Sequence, residues 1–484
     1  MSNFDLTLNN LGDLFPDNFS EEQIAKAKTI FLKEMAYRMH IFYKGKMMTV
    51  PKAGLYGFNW FNVWYTPGVS KVSTTIRDNN EAAYDLSNKG NFIGVVSDST
   101  RVLGDGDCTP PGGLGVMEGK AFLMKYLGGV DAVALCIDNR DKDGKPDPDK
   151  IIDFVKMVQP SFGGINLEDI SQPNCFKVLD TLREECDIPV WHDDAQGTGC
   201  VTLAGLLGAL EVVGKKLEDV RIVFIGAGAS NTTIARLIIT AGGDPQKMVM
   251  FDSRGSLSTD REDIKADKRF YRKWELCQAM NPEKLQTHPE AIKGADVLIA
   301  VSRPGPGLIP LEWIRSMARD AIVFACANPV PEIYPYEAKE AGAAIVATGR
   351  GDFPNQVNNS LGFPGILKGS LLVRARKITD NMAVAAARSL ANFAGRKGFN
   401  ADYIIPTMDE ADVFPEEAAD VAMQAIKDGV ARLTKTREQV LEEARADIME
   451  SRSLVNKLME EGYIKEPPSE LIEEALKVAV DSVK

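Results

Sequence analysis

The stretch VWHDDAQGTG (190–199) sets two adjacent carboxylates, Asp193 and Asp194, at the end of an apolar run and just ahead of a helical pattern. Neighbouring acids repel, so packing gives little reason for them. Either water solvates them or a cation holds them. A second pair, Glu168–Asp169, lies in GGINLEDIS (163–171), again where a strand should end. On parallel strands, both pairs would converge at the mouth of the sheet, where α/β proteins bind ligands. A set of oxygen donors alone suits a hard cation, Mg2+ or Mn2+. The chain has three histidines and only His192 is near, which argues against zinc. Taken singly, each pair also has the look of a solvated turn or a helix cap.

Basic groups follow the same logic. Arg101, in VSDSTRVLGDG (96–106), comes just after a strand pattern and could clamp a carboxylate with its planar fork. Lys120, in VMEGKAFLMK (116–125), is expected in the first turn of an apolar helix. There, positive potential and burial would ease the loss of its proton, and a surface lysine is the plain alternative. The Asp-rich run DNRDKDGKPDPDK (138–150) looks like a calcium loop, but Lys150 stands where the bidentate acid belongs and two prolines interrupt it. It reads as a solvated surface loop.

These residues need a scaffold, and the apolar runs supply one. NFIGVVSDS (91–99), VDAVALCID (130–138) and DIPVWHDD (187–194) read as strands, interleaved with helices at 119–129 and near 148–158. The pattern predicts a parallel sheet covered on both faces. A long helix over 198–217 then connects to a second series, 220–230, 247–255, 295–305, 320–329 and 343–349. Within it, IVFIGAGASN (222–231) puts Gly226-x-Gly228 between a strand and a helix, the arrangement that lets backbone approach a pyrophosphate. Asp252 ends the next strand, where a ribose-hydroxyl acceptor is expected. Arg254, two residues on, could instead receive a 2′-phosphate, so NAD and NADP both stay open. Asn231 stands where a third small residue usually eases helix–strand packing. The first 90 residues are irregular and aromatic (GLYGFNWFNVWYTPG, 54–68) with a helix at 20–40, and beyond about 375 the chain turns to charged, Ala-rich helix. The fold expected is α/β, with an N-terminal catalytic α/β domain (1–195), a Rossmann-type doubly wound dinucleotide-binding domain (196–375) and C-terminal helices (376–484) that pack back or oligomerise.

Bulk properties set limits. A chain of 484 residues calls for more than one core. Its net charge of −12 argues against nucleic acid or an anionic membrane as partner. Seven cysteines without a CxxC pair favour a reducing compartment. No signal-like start and no apolar run near the ~18 residues needed to span a bilayer are expected, so the location read is cytoplasmic.

Together, WYTPGV (64–69), DSTRVLG (98–104), VMEGK (116–120), FGGINLEDIS (162–171), HDDAQGTG (192–199), GAGAS (226–230), CANP (326–329) and ATGRGDFPNQVNNSLGFPG (347–365) resemble the malic enzyme family in its bacterial-length form. They run in family order through most of residues 40–370. The resemblance implies oxidative decarboxylation of malate to pyruvate and CO2 with NAD or NADP and a divalent metal (Mg2+ or Mn2+). It implies Glu168, Asp169 and Asp194 as metal ligands, Lys120 as general base with Asp193 beside it, and Tyr65 as the acid that protonates the enolate carbon. Arg101, Asn328 and Asn359 look like substrate-carboxylate contacts. Gly226, Gly228, Ala229, Ser230, Asp252 and Asn328 look like the cofactor contacts. The implied partner is a small 2-hydroxy dicarboxylate, with the chain a homodimer or higher oligomer. The loop 105–115 keeps the family's length with different residues, Asp105 among them. A malolactic-type enzyme, a related 2-hydroxy-acid enzyme and a catalytically silent nucleotide-binding regulator are the alternatives within this fold.

Overall fold

Four short apolar runs pair into one parallel sheet, in the order β2-β1-β3-β4: β1 Phe92–Ser97, β2 Asp131–Cys136, β3 Gly164–Leu167 and β4 Val190–His192. Alternation along the strands divides their side chains between two layers. Ile93, Val95 and Trp191 pack with Met117, Met124 and Leu127 of the helix Leu114–Gly128. Val96, Ile165 and Val190 pack instead with the helices Pro148–Val158 and Asn174–Glu185. The computed structural model describes residues 4–103 and 105–484, so Gly104, the last residue of DSTRVLG, lies outside the described residues.

Local signals set the helix ends. Asp147 accepts the Asp149 N–H at 3.0 Å and Pro148 occupies the first turn, which starts Pro148–Val158 where the sequence placed it. Leu114–Gly128 stops at Gly129, whose φ of 63° and close approach to the Asp447 backbone leave no room for a side chain. This helix starts earlier than expected, so Lys120 sits in its second turn rather than its first.

The second sheet has six strands in the order β10-β9-β8-β5-β6-β7: β5 Ile222–Ile225, β6 Met248–Asp252, β7 Gly255–Ser256, β8 Val297–Ala300, β9 Ala321–Ala325 and β10 Ala343–Thr348. Five strands run parallel, and β7 folds back antiparallel on β6 across a tight turn, an edge the sequence pattern did not include. The chain leaves β5 toward β6 on one side and returns to β8 on the other. The switch point of this doubly wound sheet is therefore the crevice between β5 and β8.

Both sheets belong to the compact unit Gly54–Ser451. Its centre is the helix Thr198–Val213, packed against the helices Ala229–Thr240 and Asp380–Lys397. By length and composition the segment Asp193–Val213 could cross a membrane, contrary to the expectation of no such run; here 72% of its apolar window is buried inside the protein, as a core helix. The second compact unit comprises the residues up to Ala53 together with Arg452–Lys484. In it the helix Glu21–Tyr43, started by a Ser20–Gln23 capping box, packs Ala27 and Phe31 against Ile472, Ala475 and Ala479 of the helix Ser469–Asp481.

Candidate active site

β3 and β4 lie side by side, with Leu167 paired to His192. This register delivers both acid pairs to one end of the sheet. The backbone after β4 turns through a π-helical segment, Asp193–Gly197, before entering Thr198–Val213. Such turns often re-aim side chains at functional sites. Here the turn sends the two acids different ways: Asp193 is fully buried and Asp194 is about one-third exposed.

Asp193 Oδ2 accepts from Lys120 Nζ, and its Oδ1 accepts from Trp191 Nε1 at 3.1 Å. Glu168 Oε1 lies 3.1 Å from Lys120 Nζ, and its Oε2 accepts from Asn166 Nδ2 at 2.9 Å. The ammonium also stands 4.7 Å from the centroid of the Phe363 ring. Burial disfavours the charge on Lys120, but Asp193, Glu168 and Asp194 outweigh it and raise its pKa. The expected positive potential is therefore replaced by its opposite, a ring of carboxylates that favours the charged form of Lys120. Neither is it the surface lysine of the plain alternative.

The remaining negative charge gathers beside it. Glu168, Asp169 and Asp194 each offer a carboxylate oxygen within 4.8 Å of the others. Asp169 adopts φ 53°, a left-handed conformation that Asp tolerates better than most residues. Its N–H donates to Asp194 Oδ2 at 2.7 Å, while its Oδ2 is buried with no hydrogen-bond partner. Burial, followed by the neighbouring Asp194, pushes the Asp169 carboxyl up to about 7, and burial lifts Glu168 well above the ordinary carboxylate range. Three clustered acids and an orphaned oxygen form a set that could hold a hard divalent cation. His192 is buried with neither ring nitrogen paired, its Nδ1 3.8 Å from Asp194 Oδ2.

The Arg101 loop is tied to this cluster through its backbone. Arg101 N–H donates to Asp169 O at 3.0 Å and Leu103 N–H to Asp169 Oδ1 at 3.4 Å, leaving the Arg101 side chain exposed. Beneath it, Asp98 Oδ1 accepts from Thr100 Oγ1 at 2.7 Å and its Oδ2 from Asn139 Nδ2 at 2.9 Å. Thr100 Oγ1 in turn accepts from Ser171 N–H at 2.9 Å. Asn359 is also close: a Cβ placed on Gly197 would lie 3.2 Å from Asn359 Cβ and would collide with Asp193. Asn328, exposed, follows β9 on the other sheet. Tyr65 stands apart. It is 71% exposed, and its hydroxyl makes no hydrogen bond among the described residues. Within one chain, its segment turns its aromatic side chains outward. Asp105 is likewise exposed, and the loop 138–150 is largely a surface loop, pinned by Arg140 Nη2 to Asp107 at 2.7 Å.

The dinucleotide loop follows β5. Gly226 has φ 96°, and a Cβ there would meet Val301 O at 2.7 Å. Gly228 caps the helix Ala229–Thr240, whose first residues are Ala229 and Ser230. Asn231, the apparent departure, is fully buried and explains itself: its Nδ2 donates to the carbonyls of Ile225 and Gly226, each at 2.9 Å, and so locks the loop to the helix. Ser230 Oγ donates to Asp194 O at 3.0 Å, joining the dinucleotide helix to the acid cluster. Asp252 ends β6 as expected, and both its oxygens accept from Arg261, at 2.9 Å each. Arg254 pairs with Asp263 at 3.2 Å.

Two family descriptions match in the order of the two sheets: "Malic enzyme, N-terminal domain" over residues 58–183 and "Malic enzyme, NAD binding domain" over 195–429. The chain belongs to the malic enzyme family. A crystal structure of the Entamoeba histolytica malic enzyme is 64% identical, covers 100% of both chains and superposes with a TM-score of 0.97. The malic enzyme of Pyrococcus horikoshii Ot3 is 43% identical, covering 90% of this chain and 96% of its own, with a TM-score of 0.80. The "Bifunctional malic/malolactic enzyme" of Bacillus subtilis (strain 168) is 41% identical over 86% of this chain and 98% of its own length. Membership of this family agrees with the fold, with the order of the motifs and with a dinucleotide helix bonded to the acid cluster.

Trp191, Asn166 and Phe363 are site residues that the sequence pattern did not single out. Asn231 stood out in the sequence as a polar residue at a packing position, without its role in locking the loop.

Proposed function

We propose that this malic enzyme family member oxidatively decarboxylates malate to pyruvate and CO2, reducing NAD or NADP, with a divalent metal held by Glu168, Asp169 and Asp194. The Ser230–Asp194 hydrogen bond is the observation that carries this reading, because it joins the helix after the Gly226-x-Gly228 turn to the cluster of three acids. When bound, the cation supplies Lewis-acid polarisation of the substrate carbonyl and the dinucleotide accepts the hydride.

The chain's own residues orient the substrate and move protons. Arg101, Asn328 and Asn359 bind its carboxylates, while Gly226, Gly228, Ala229, Ser230, Asp252 and Asn328 bind the dinucleotide. Lys120 takes the 2-hydroxyl proton after passing its own to Asp193, which it already contacts. Tyr65 is the acid that protonates the enolate carbon, a role that rests on its place in the YTPG motif. Within one chain it stands apart from the acid cluster and must be brought to a site by self-association. Its exposed segment, with Tyr56 80% and Phe58 85% exposed, supports self-association as a homodimer or higher oligomer, since apolar surface of this kind marks an interface. The domain division at 195 and 375 and a cytoplasmic location, consistent with seven free cysteines, complete the proposal. The malolactic and silent-regulator alternatives are not favoured.

The experiment mixes the protein with L-malate, Mn2+ and either NAD or NADP, and follows reduced cofactor, pyruvate and lactate. Reduced cofactor and pyruvate appearing one for one, and lost with chelator, support the reading. Lactate without reduced cofactor refutes it.

A further inference from the structure

Glu332 is fully buried in the loop between β9 and the helix Pro335–Glu340, and no cation lies within ion-pair distance of it among the described residues. Its Oε1 accepts from Ser302 N–H at 2.9 Å and Ser302 Oγ at 3.0 Å, and its Oε2 accepts from Ala327 N–H at 3.0 Å. Ser302 follows β8, while Ala327 follows β9 and immediately precedes Asn328. One side chain thus bridges the loops that leave two adjacent parallel strands. Ser302 also packs on the dinucleotide loop, where a Cβ on Gly226 would lie 3.3 Å from Ser302 Cα. Glu332 therefore braces one wall of the β5/β8 crevice.

The choice of side chain is informative. Three donors point at two oxygens, and only a carboxylate of this length accepts at both ends. Glutamine would turn an NH2 toward a backbone N–H, leaving that donor unpaired in the interior. Burial pushes the Glu332 carboxyl up, but the three hydrogen bonds favour its ionised form.

We propose that Glu332 is a positioning residue for the dinucleotide: it fixes the spacing of the loops after β8 and β9, acting through Ser302, Gly226 and Asn328. This rests on the dinucleotide reading of the second sheet, but not on malate as substrate. The test titrates NADH and NADPH into the full-length wild type, Glu332→Gln and Ser302→Ala, followed by cofactor fluorescence. Mn2+ is titrated separately without dinucleotide.

Glu332→Gln is expected to weaken dinucleotide binding about tenfold and to raise its KM in step, with Mn2+ affinity unchanged within about twofold. Ser302→Ala loses a single hydrogen bond, keeps the fold, and shifts dinucleotide binding about threefold in the same direction. Unchanged dinucleotide affinity in Ser302→Ala, or equal losses of Mn2+ and dinucleotide affinity in Glu332→Gln, would overturn the proposal. A wild type that binds dinucleotide without turning over malate would count against the proposed function alone, and the titrations would still decide on Glu332.

Discussion

Asp193→Asn replaces one oxygen at the point where Lys120 is held. The amide oxygen can still accept from Trp191 Nε1, so packing and that 3.1 Å bond survive. The amide NH2 then faces the Lys120 ammonium, donor against donor. Breaking a buried pair by removing one partner costs about 3–5 kcal/mol. Lys120 keeps Glu168 at 3.1 Å, so the loss should fall at the lower end, about 3 kcal/mol. The assay is a double-mutant cycle by urea denaturation on wild type, Asp193→Asn, Lys120→Met and the double variant. With the ammonium gone, the amide has no opposing donor, and the double variant should recover about 2 kcal/mol relative to additivity. A coupling energy below about 0.5 kcal/mol, the ordinary scatter of independent sites, would refute the ion-pair reading of the site.

Other consequences follow from the same geometry. Tyr65→Phe should leave thermal stability unchanged, because the hydroxyl is solvated, yet lower kcat about 10²- to 10⁴-fold if Tyr65 is the general acid; a Tm shift of several degrees by calorimetry would contradict its exposed placement. Asn231→Ala removes a donor from Gly226 O, while Ile225 O keeps the Val301 N–H at 3.2 Å, so unfolding free energy should fall by about 1–2 kcal/mol and dinucleotide affinity should drop with it; an unchanged denaturation midpoint refutes this. The Asp169 carboxyl, raised to about 7 against 3.8, binds its proton more tightly in the folded chain. Its contribution to stability is fully present below 3.8 and lost as pH rises toward 7. A cation must displace that proton, so Mn2+ affinity measured by calorimetry should climb between about pH 5 and 7 and flatten above; an affinity independent of pH would refute the assignment. Asp98→Asn should raise KM for malate more than it lowers kcat, because it loosens the brace under Arg101, and equal changes in both would argue against that role.

Much of this protein was legible before folding was considered. Short apolar runs ended by Gly and acids marked eight of the ten strands among the described residues, the acid pair in GGINLEDIS implied β3, and the tight turn that adds β7 carries too few residues for a pattern. The order of motifs marked Lys120, Asp193 and the three clustered acids as candidates, since residue type and spacing are properties of the chain itself. What those residues do to one another was decided only in three dimensions. The charge state of Lys120 depends on carboxylates 48 and 73 residues away in sequence, brought beside it by the β3–β4 register and a π-helical turn. Asn231 looked like a defect until its amide met two carbonyls, and Glu332 carried no motif because its partners lie on separate loops. Sequence alone determined which chemical groups were present and which local elements carried them. Tertiary structure decided which were buried and which were opposed, because electrostatic and hydrogen-bond energies depend on distance and solvent access, and a linear sequence encodes neither directly.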